Sequence, residues 1–249
     1  MEYPSNKTHK ACTLRIKIVV FDMDGVLADT GSSWQFVHKA FNVSNQDNLR
    51  RYLDGKIDYD EFMRRDIQLW GHSNINLIKN ILANILLMKG ARSTIRELRN
   101  ARYKTGIISA GISILAERIQ NELAIDYAFA NRLVFNRDGM LTGEGEEVVN
   151  LLNKIAVLRR LASMEQTTPS CCAVVGDSVY DIPLFKEAGF SIAFNTNDKQ
   201  VREAADVVVE GKDLRKILPY FISNGRDLAV HKKQPKCTEG SNNARHSYA

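Results

Sequence analysis

Ile18-Val19-Val20-Phe21-Asp22-Met23-Asp24-Gly25-Val26-Leu27 is the stretch on which the reading of this chain turns. Its first four residues are β-branched or aromatic without a polar interruption, the pattern of a strand buried on both faces of a parallel sheet. The run then breaks into two carboxylates at i and i+2, followed by a glycine. Acids at the end of a buried strand are costly unless a cation or a reaction uses them. In open α/β sheets that carboxyl edge is where ligands bind.

Working outward, the 249 residues suffice for one large core and a smaller insert, and 44% hydrophobic with 25% charged residues is ordinary for a soluble globular protein. No apolar run approaches the roughly 20 residues of a membrane span, and residues 1–17 hold no apolar signal core, so a cytoplasmic protein is expected. Four cysteines in a chain of this length make no disulfide framework. Cys171 and Cys172 read as thiols in a reducing compartment, facing opposite ways on a strand. The net charge of +5 is concentrated at the ends: residues 1–17 and 226–249 carry +3 each, leaving 18–225 near −1. A nucleic-acid-binding body is therefore not expected.

Residues 33–88 show helical spacing and no strand signal. Ser32-Ser33 can cap a helix carrying Trp34, Val37, His38 and Phe41. Asp58 can cap another with Phe62, Met63, Ile67 and Trp70 on one face, and Leu77, Ile78, Ile81, Leu82 and Ile85 suggest a third. From Gly90 strands and helices alternate. A helix over 92–101 precedes the strand Thr105-Gly106-Ile107-Ile108-Ser109, and a helix over 112–123 follows. Tyr127-Ala128-Phe129-Ala130 reads as a strand, 133–142 as a hairpin turning at Asp138-Gly139, and 151–163 as a helix. The strand Cys171-Cys172-Ala173-Val174-Val175-Gly176 ends at Asp177; β elements at 190–194 and 206–209 alternate with helices near 198–205 and 213–221. The expected organisation is a flexible 1–14, a catalytic core of 15–30 and 89–224, a helical cap over 31–88, and a disordered polar, basic tail at 225–249. The expected fold is a Rossmann-like, doubly wound, mostly parallel α/β sheet with that small cap inserted after the first strand.

Four features fall where such a sheet brings strand ends together: Asp22 and Asp24; Ser109 with Ala110-Gly111; Lys154; and Gly176-Asp177-Ser178-Val179-Tyr180-Asp181. Each has a plain alternative. Asp181 and Ser109 can also be read as caps of the helices that follow, and Lys154 as a solvent-facing helical lysine. Their order along the chain makes the combination specific. It resembles the haloacid dehalogenase-like phosphohydrolases, whose pattern runs DxD, Ser/Thr, Lys, GDxxxD. Asp126-Tyr127-Ala128-Phe129-Ala130-Asn131-Arg132-Leu133 and Gly211-Lys212-Asp213-Leu214-Arg215-Lys216-Ile217-Leu218 are similar to the phosphoserine phosphatase-like subfamily.

The resemblance implies a Mg²⁺-dependent phosphatase acting on a small phosphorylated metabolite. Asp22 would be the nucleophile, forming an aspartyl-phosphate, and Asp24 the general acid and then base. Ser109, Ala110, Gly111 and Lys154 would hold the phosphate. Asp22, Asp24, Asp177 and Asp181 would supply the metal's oxygen ligands, Asp181 through water or by orienting a neighbour. The resemblance breaks at two positions. Phosphoserine phosphatases place a glutamate nine residues after the nucleophile, where this chain has Gly31; their cap carries an arginine for the substrate carboxylate, where it has Asp66. Losing both halves of a zwitterion clamp argues against phosphoserine as the natural substrate. Trp34, Arg64, Arg65 and Asp66 are the candidates for cap specificity. Phosphotransfer from the same aspartyl-phosphate, phosphoserine phosphatase activity proper, and a non-catalytic binding module are the alternatives.

Overall fold

A computed structural model describes residues 16–222, so the expected flexible end at 1–14 and tail at 225–249 lie outside the described residues. The strands are β1 (Ile18–Phe21), β2 (Lys104–Ile112), β3 (Tyr127–Phe135), β4 (Leu141–Glu146), β5 (Cys172–Gly176), β6 (Phe190–Phe194) and β7 (Val207–Val209). They form one seven-stranded sheet in the order β4-β3-β2-β1-β5-β6-β7. Only β3–β4 pairs antiparallel.

β1 is the central strand, paired with β2 on one side and β5 on the other. Val19 and Phe21 pack into one hydrophobic cluster, Ile18 and Val20 into a second on the opposite face, which is why the run lacks the polar alternation of a half-exposed strand. From β1 the chain builds outward through β2, β3 and β4, then returns to the other side of β1 for β5, β6 and β7. The order therefore reverses at β1, and the carboxyl ends of β1, β2 and β5 converge on the crevice where such sheets bind ligands.

Four helices, α1 (Ser33–Ala40), α2 (Gln46–Leu53), α3 (Tyr59–Gln68) and α4 (Ile75–Ala83), intervene between β1 and α5 (Ala91–Asn100). Helix α1 starts at Ser32, whose side chain accepts from the Gln35 amide, and α3 at Asp58, which accepts from Glu61. The two segments joining this insert to the sheet lie side by side, Asp29 N donating to Leu86 O (2.9 Å) and Met88 N to Leu27 O (2.8 Å). Helix α3 packs on the β3–β4 hairpin, where Gly145 leaves room: a Cβ there would come within 2.9 Å of Ile67 Cδ1 and Met63 Sδ.

The remaining helices are α6 (Ser113–Leu123), α7 (Ile155–Met164), α8 (Ile182–Glu187) and α9 (Lys199–Ala204). Several boundaries differ from those expected. Helix α2 had no sequence signal, because QDNLRRYL offers only Leu49, Tyr52 and Leu53 as apolar residues. β2 runs on through Ser109, Ala110 and Gly111 to Ile112, so Ser109 does not cap α6. β3 continues without a break to Phe135 and supplies the first arm of the hairpin. Helix α7 begins only at Ile155, because the Asn150 side chain accepts from the Leu152 amide (3.0 Å) and holds a turn there. Leu214–Tyr220 is 3₁₀ rather than α-helix and contains Pro219, which has no N–H to donate. Cys172 is buried and Cys171 partly exposed, both free thiols.

Candidate active site

Asp22 follows the last residue of β1. Its Oδ1 accepts from the Met23 amide (2.6 Å) and its Oδ2 from Lys154 Nζ (2.5 Å). Two residues on, Asp24 faces the insert: its Oδ2 accepts from both the amide and the hydroxyl of Ser33 (2.8 Å each), at the N-terminus of α1. Asp24 Oδ1 is buried and has no hydrogen-bond partner. Gly25 then turns the chain with φ +78°, and a Cβ there would lie 2.0 Å from Asp177 Oδ2. Glycine at this position lets the ends of β1 and β5 close on each other.

At the end of β2, Ser109 is buried and its hydroxyl accepts from the Gly111 amide (3.2 Å). A Cβ on Gly111 would collide with Met23 Cε (2.5 Å), Ser33 Oγ (2.7 Å) and Asp24 Oδ2 (2.9 Å), so glycine admits the β1 end and the insert against β2. At the end of β5, Asp181 Oδ2 accepts from the amides of Asp177 and Ser178 and from the Ser178 hydroxyl (3.1 Å each). Its Oδ1 accepts from Lys154 Nζ (2.8 Å). These bonds shape the loop carrying Asp177; Asp181 makes no side-chain cap to α8, contrary to the helix-cap reading. Lys154 is 2% exposed, which rules out the solvent-facing reading. It stands at the N-terminal boundary of α7 and spans from β1 to β5.

Four carboxylates and one ammonium share this crevice. Burial raises Asp22 to about 7, Lys154 pulling against it and Asp181 adding to it. Asp177 is pushed up to about 8 by burial and by the neighbouring Asp22 and Asp181. Asp24 is raised by burial, which outweighs the two bonds from Ser33. Burial alone would lower Lys154, but Asp181 and Asp22 hold its ammonium above the usual lysine value. Carboxyl oxygens of Asp22, Asp177 and Asp181 lie within 4.8 Å of one another. An excess of mutually repelling carboxylates, with Asp24 Oδ1 unpartnered, fits a cation held by hard oxygen donors.

Asp22, Asp24, Asp177 and Lys154 open into a cavity of about 260 Å³ whose other wall is the helical insert. Trp34 and Asp66 belong to that wall, as does Gly31, whose Cβ position is open space. Arg64 and Arg65 do not: Arg64 pairs with Glu61 (2.5 Å) and Glu144 (3.2 Å), and Arg65 with Glu61 (2.7 Å). Their expected place in a specificity site is corrected by helical geometry, since about 100° per residue separates them from the inward-facing Asp66. Asp66 is buried, accepting from Asn45 (2.5 Å) and Asn48 (2.9 Å) and facing His38 (3.2 Å). Trp34 stacks on Trp70 with ring centroids 5.3 Å apart, and its Nε1 donates to Ala110 O (3.0 Å).

Two further contributors were not singled out as site residues in the sequence. Ser33 joins three segments, donating to Asp24 and accepting from the Ile112 amide (3.2 Å). Buried Asn131 accepts from the Val148 and Val149 amides (2.8 and 2.9 Å) and donates to Tyr59 Oη (2.8 Å) and Ala110 O (3.0 Å), tying β3 to the insert and to β2. The hints for Asn131 were a lone Asn inside a strand that accommodates no turn and its place in the Asp126–Leu133 segment that carries the subfamily resemblance.

No helix among the described residues is long and apolar enough to cross a membrane. The family model described as haloacid dehalogenase-like hydrolase matches residues 16–189. The chain is 32% identical over 207 residues to a phosphoserine phosphatase of Methanocaldococcus jannaschii, covering 82% of this chain and 97% of that protein. It is 30% identical to the phosphoserine phosphatase of Wolinella succinogenes, covering 83% and 100%. Among solved structures it is similar to a phospho-aspartyl intermediate analogue of phosphoserine phosphatase, with TM-score 0.71 at 32% identity over 84% of this chain and all of that one. A substrate-bound phosphoserine phosphatase complex gives TM-score 0.72 at 31% identity, covering 84% and 99%. A doubly wound sheet with acids at its switch point, matched along most of its length by these proteins, places the chain in the haloacid dehalogenase-like hydrolase family, on its phosphoserine phosphatase-like branch.

Proposed function

We propose that this phosphoric monoester hydrolase cleaves a small phosphorylated metabolite through an aspartyl-phosphate on Asp22, with Mg²⁺ as cofactor. One observation carries the assignment of roles. Two carboxylates of a single strand end occupy different environments: Asp22 is bonded to a buried ammonium, while Asp24 is held by Ser33 with one oxygen free. Separating two acids in this way is how one site supplies both a nucleophile and a proton donor.

In this reading an Asp22 oxygen attacks phosphorus as the ester P–O bond breaks, and Asp24 delivers its proton to the departing alkoxide. Burial raises the Asp24 carboxyl above its ordinary value, which favours the acid form that this step uses. Asp24, now ionised, takes a proton from the water that attacks the phosphorus of the acyl phosphate; the bond to Asp22 breaks and free phosphate leaves. Lys154 balances charge on Asp22 throughout, Ser109 and the Ala110-Gly111 segment border the phosphoryl group, and Asp181 keeps Lys154 and the Asp177 loop in place. A divalent cation bound by Asp22, Asp177 and the Asp24 carbonyl, with Asp181 orienting its neighbours, would neutralise the phosphoryl oxygens. The insert acts as a lid that excludes water and favours small substrates.

The test is phosphate release from an aryl phosphate with and without Mg²⁺ in the wild type and Asp22→Asn. Mg²⁺-dependent release that disappears in the variant is expected; full turnover by the variant would overturn the mechanism. Free phosphate as the sole product in the presence of added alcohols excludes transfer.

A further inference from the structure

Resting on the phosphatase reading, we propose that the leaving-group half of the cavity selects the phosphate ester of an amino alcohol: an alcohol that carries a positive charge and no carboxylate. Among the described residues lining the cavity, Lys154 is the sole Lys, Arg or His, and its ammonium is already committed to Asp22 and Asp181. The arginines of the insert are paired outside this lining, Arg50 and Arg51 with Asp47, Arg64 with Glu61 and Glu144, and Arg65 with Glu61. Among the described side chains of this wall a substrate carboxylate would find no uncommitted cationic partner.

The insert instead contributes an anion. Asp66 is 1% exposed and forms part of the cavity wall. Its three partners are neutral. Asn45 and Asn48 donate through their amides. For His38 the tautomer follows from Trp70: the indole Nε1 is a donor only and sits 2.8 Å from His38 Nδ1, so Nδ1 is unprotonated and the single ring proton lies on Nε2, facing Asp66. The Asp66 charge is thus solvated by dipoles and cancelled by no cation. Oδ2 accepts from His38 and Asn45 while Oδ1 accepts only from Asn48, which leaves acceptor capacity on Oδ1.

Trp34, Tyr59 and Phe62 share this wall, alongside Gln35, Asn45 and Leu49. Aromatic faces beside an unneutralised carboxylate attract an ammonium group and repel an acid. The volume of about 260 Å³ suits a short amino alcohol esterified to phosphate.

The experiment compares kcat/KM for phosphoethanolamine, phosphocholine, glycerol 1-phosphate, phosphoserine and phosphoglycolate, with an aryl phosphate as reference. The expected order places the better cationic ester about tenfold or more above the neutral one, and the carboxylate-bearing esters lowest. Phosphoserine and phosphoethanolamine differ by a single carboxylate, so their ratio is the decisive number. Phosphoserine turned over as well as or better than phosphoethanolamine overturns the proposal, as does a neutral ester at the top of the ranking. In Asp66→Asn the preference for the cationic ester over the neutral one should shrink severalfold; an unchanged preference in a folded variant also overturns it. Should that variant fail to fold, the wild-type ranking alone decides between these outcomes. Aryl phosphate cleaved with every cationic ester refused sinks this proposal alone, whereas no release from any ester sinks the phosphatase reading along with it.

Discussion

Replacing Lys154 with methionine keeps an unbranched stem in the crevice and removes its one cation. The ammonium is buried, 2.5 Å from Asp22 and 2.8 Å from Asp181. Removing one partner of a buried ion pair costs about 3–5 kcal/mol, because the charge left behind is uncompensated. For a chain of this size each kcal/mol moves Tm by about 2–4 °C, so a loss of about 6–20 °C is expected at pH 8 in EDTA. The loss should shrink toward pH 5. Without Lys154 the Asp22 pKa, already raised to about 7, rises further above its unfolded value of 3.8. Both folded forms hold that proton below about 7, so the variant loses stability relative to wild type as pH climbs above about 7, where only the variant's Asp22 keeps it. Thermal unfolding at the two pH values measures this, together with Lys154→Met/Asp22→Asn, whose cost should fall short of the sum of the single costs by about 0.5–3 kcal/mol. Phosphate release by Lys154→Met should drop by about 10²–10³-fold. A Tm within about 2 °C of wild type at pH 8, or strict additivity in the double variant, would refute the claim that these groups form one charge-balanced unit.

Gly25→Ala puts a methyl group 2.0 Å from Asp177 Oδ2 at φ +78°, so Asp177 must move. Apparent Mg²⁺ affinity in a metal titration of phosphate release should fall about 10–100-fold, with turnover largely restored at saturating metal; unchanged affinity would remove Asp177 from the metal shell. Arg64→Ala and Arg65→Ala should leave KM for every ester unchanged, since both arginines pair with Glu61 outside the cavity; a raised KM in either would return that arginine to the substrate site. In EDTA the wild type should lose stability as pH rises from about 4 to 8. Across that window folded Asp22 and Asp177, raised to about 7 and 8, keep protons that the unfolded chain has given up. Added Mg²⁺ should flatten the decline, and a Tm independent of pH in EDTA would contradict the crowding of these acids.

What could be read in the linear chain was whatever has a short period or a fixed local chemistry. The unbroken Ile18–Phe21 run announced a strand buried on both faces because its own residues pack into both layers. Asp58 announced a helix start because a cap is made within three residues. Strand ends rich in Asp, Ser and Gly announced the crevice, since a parallel sheet collects its carboxyl ends on one edge. Helix α2, with three apolar residues in eight, had no such signature.

Which of the candidate residues line the cavity wall, and what they meet there, was decided by tertiary structure. Arg64, Arg65 and Asp66 are consecutive and equally plausible on paper, yet only Asp66 turns inward, beside His38 from α1 and Asn45 and Asn48 from the next segment. Ser33 and Asn131 matter because they bridge segments far apart in the chain, Ser33 reaching Ile112 and Asn131 reaching Tyr59. Periodicity reports which face of an element is buried. Which partners a buried polar group meets there depends on the packing of distant segments, and the charge left in the pocket is the sum of those encounters.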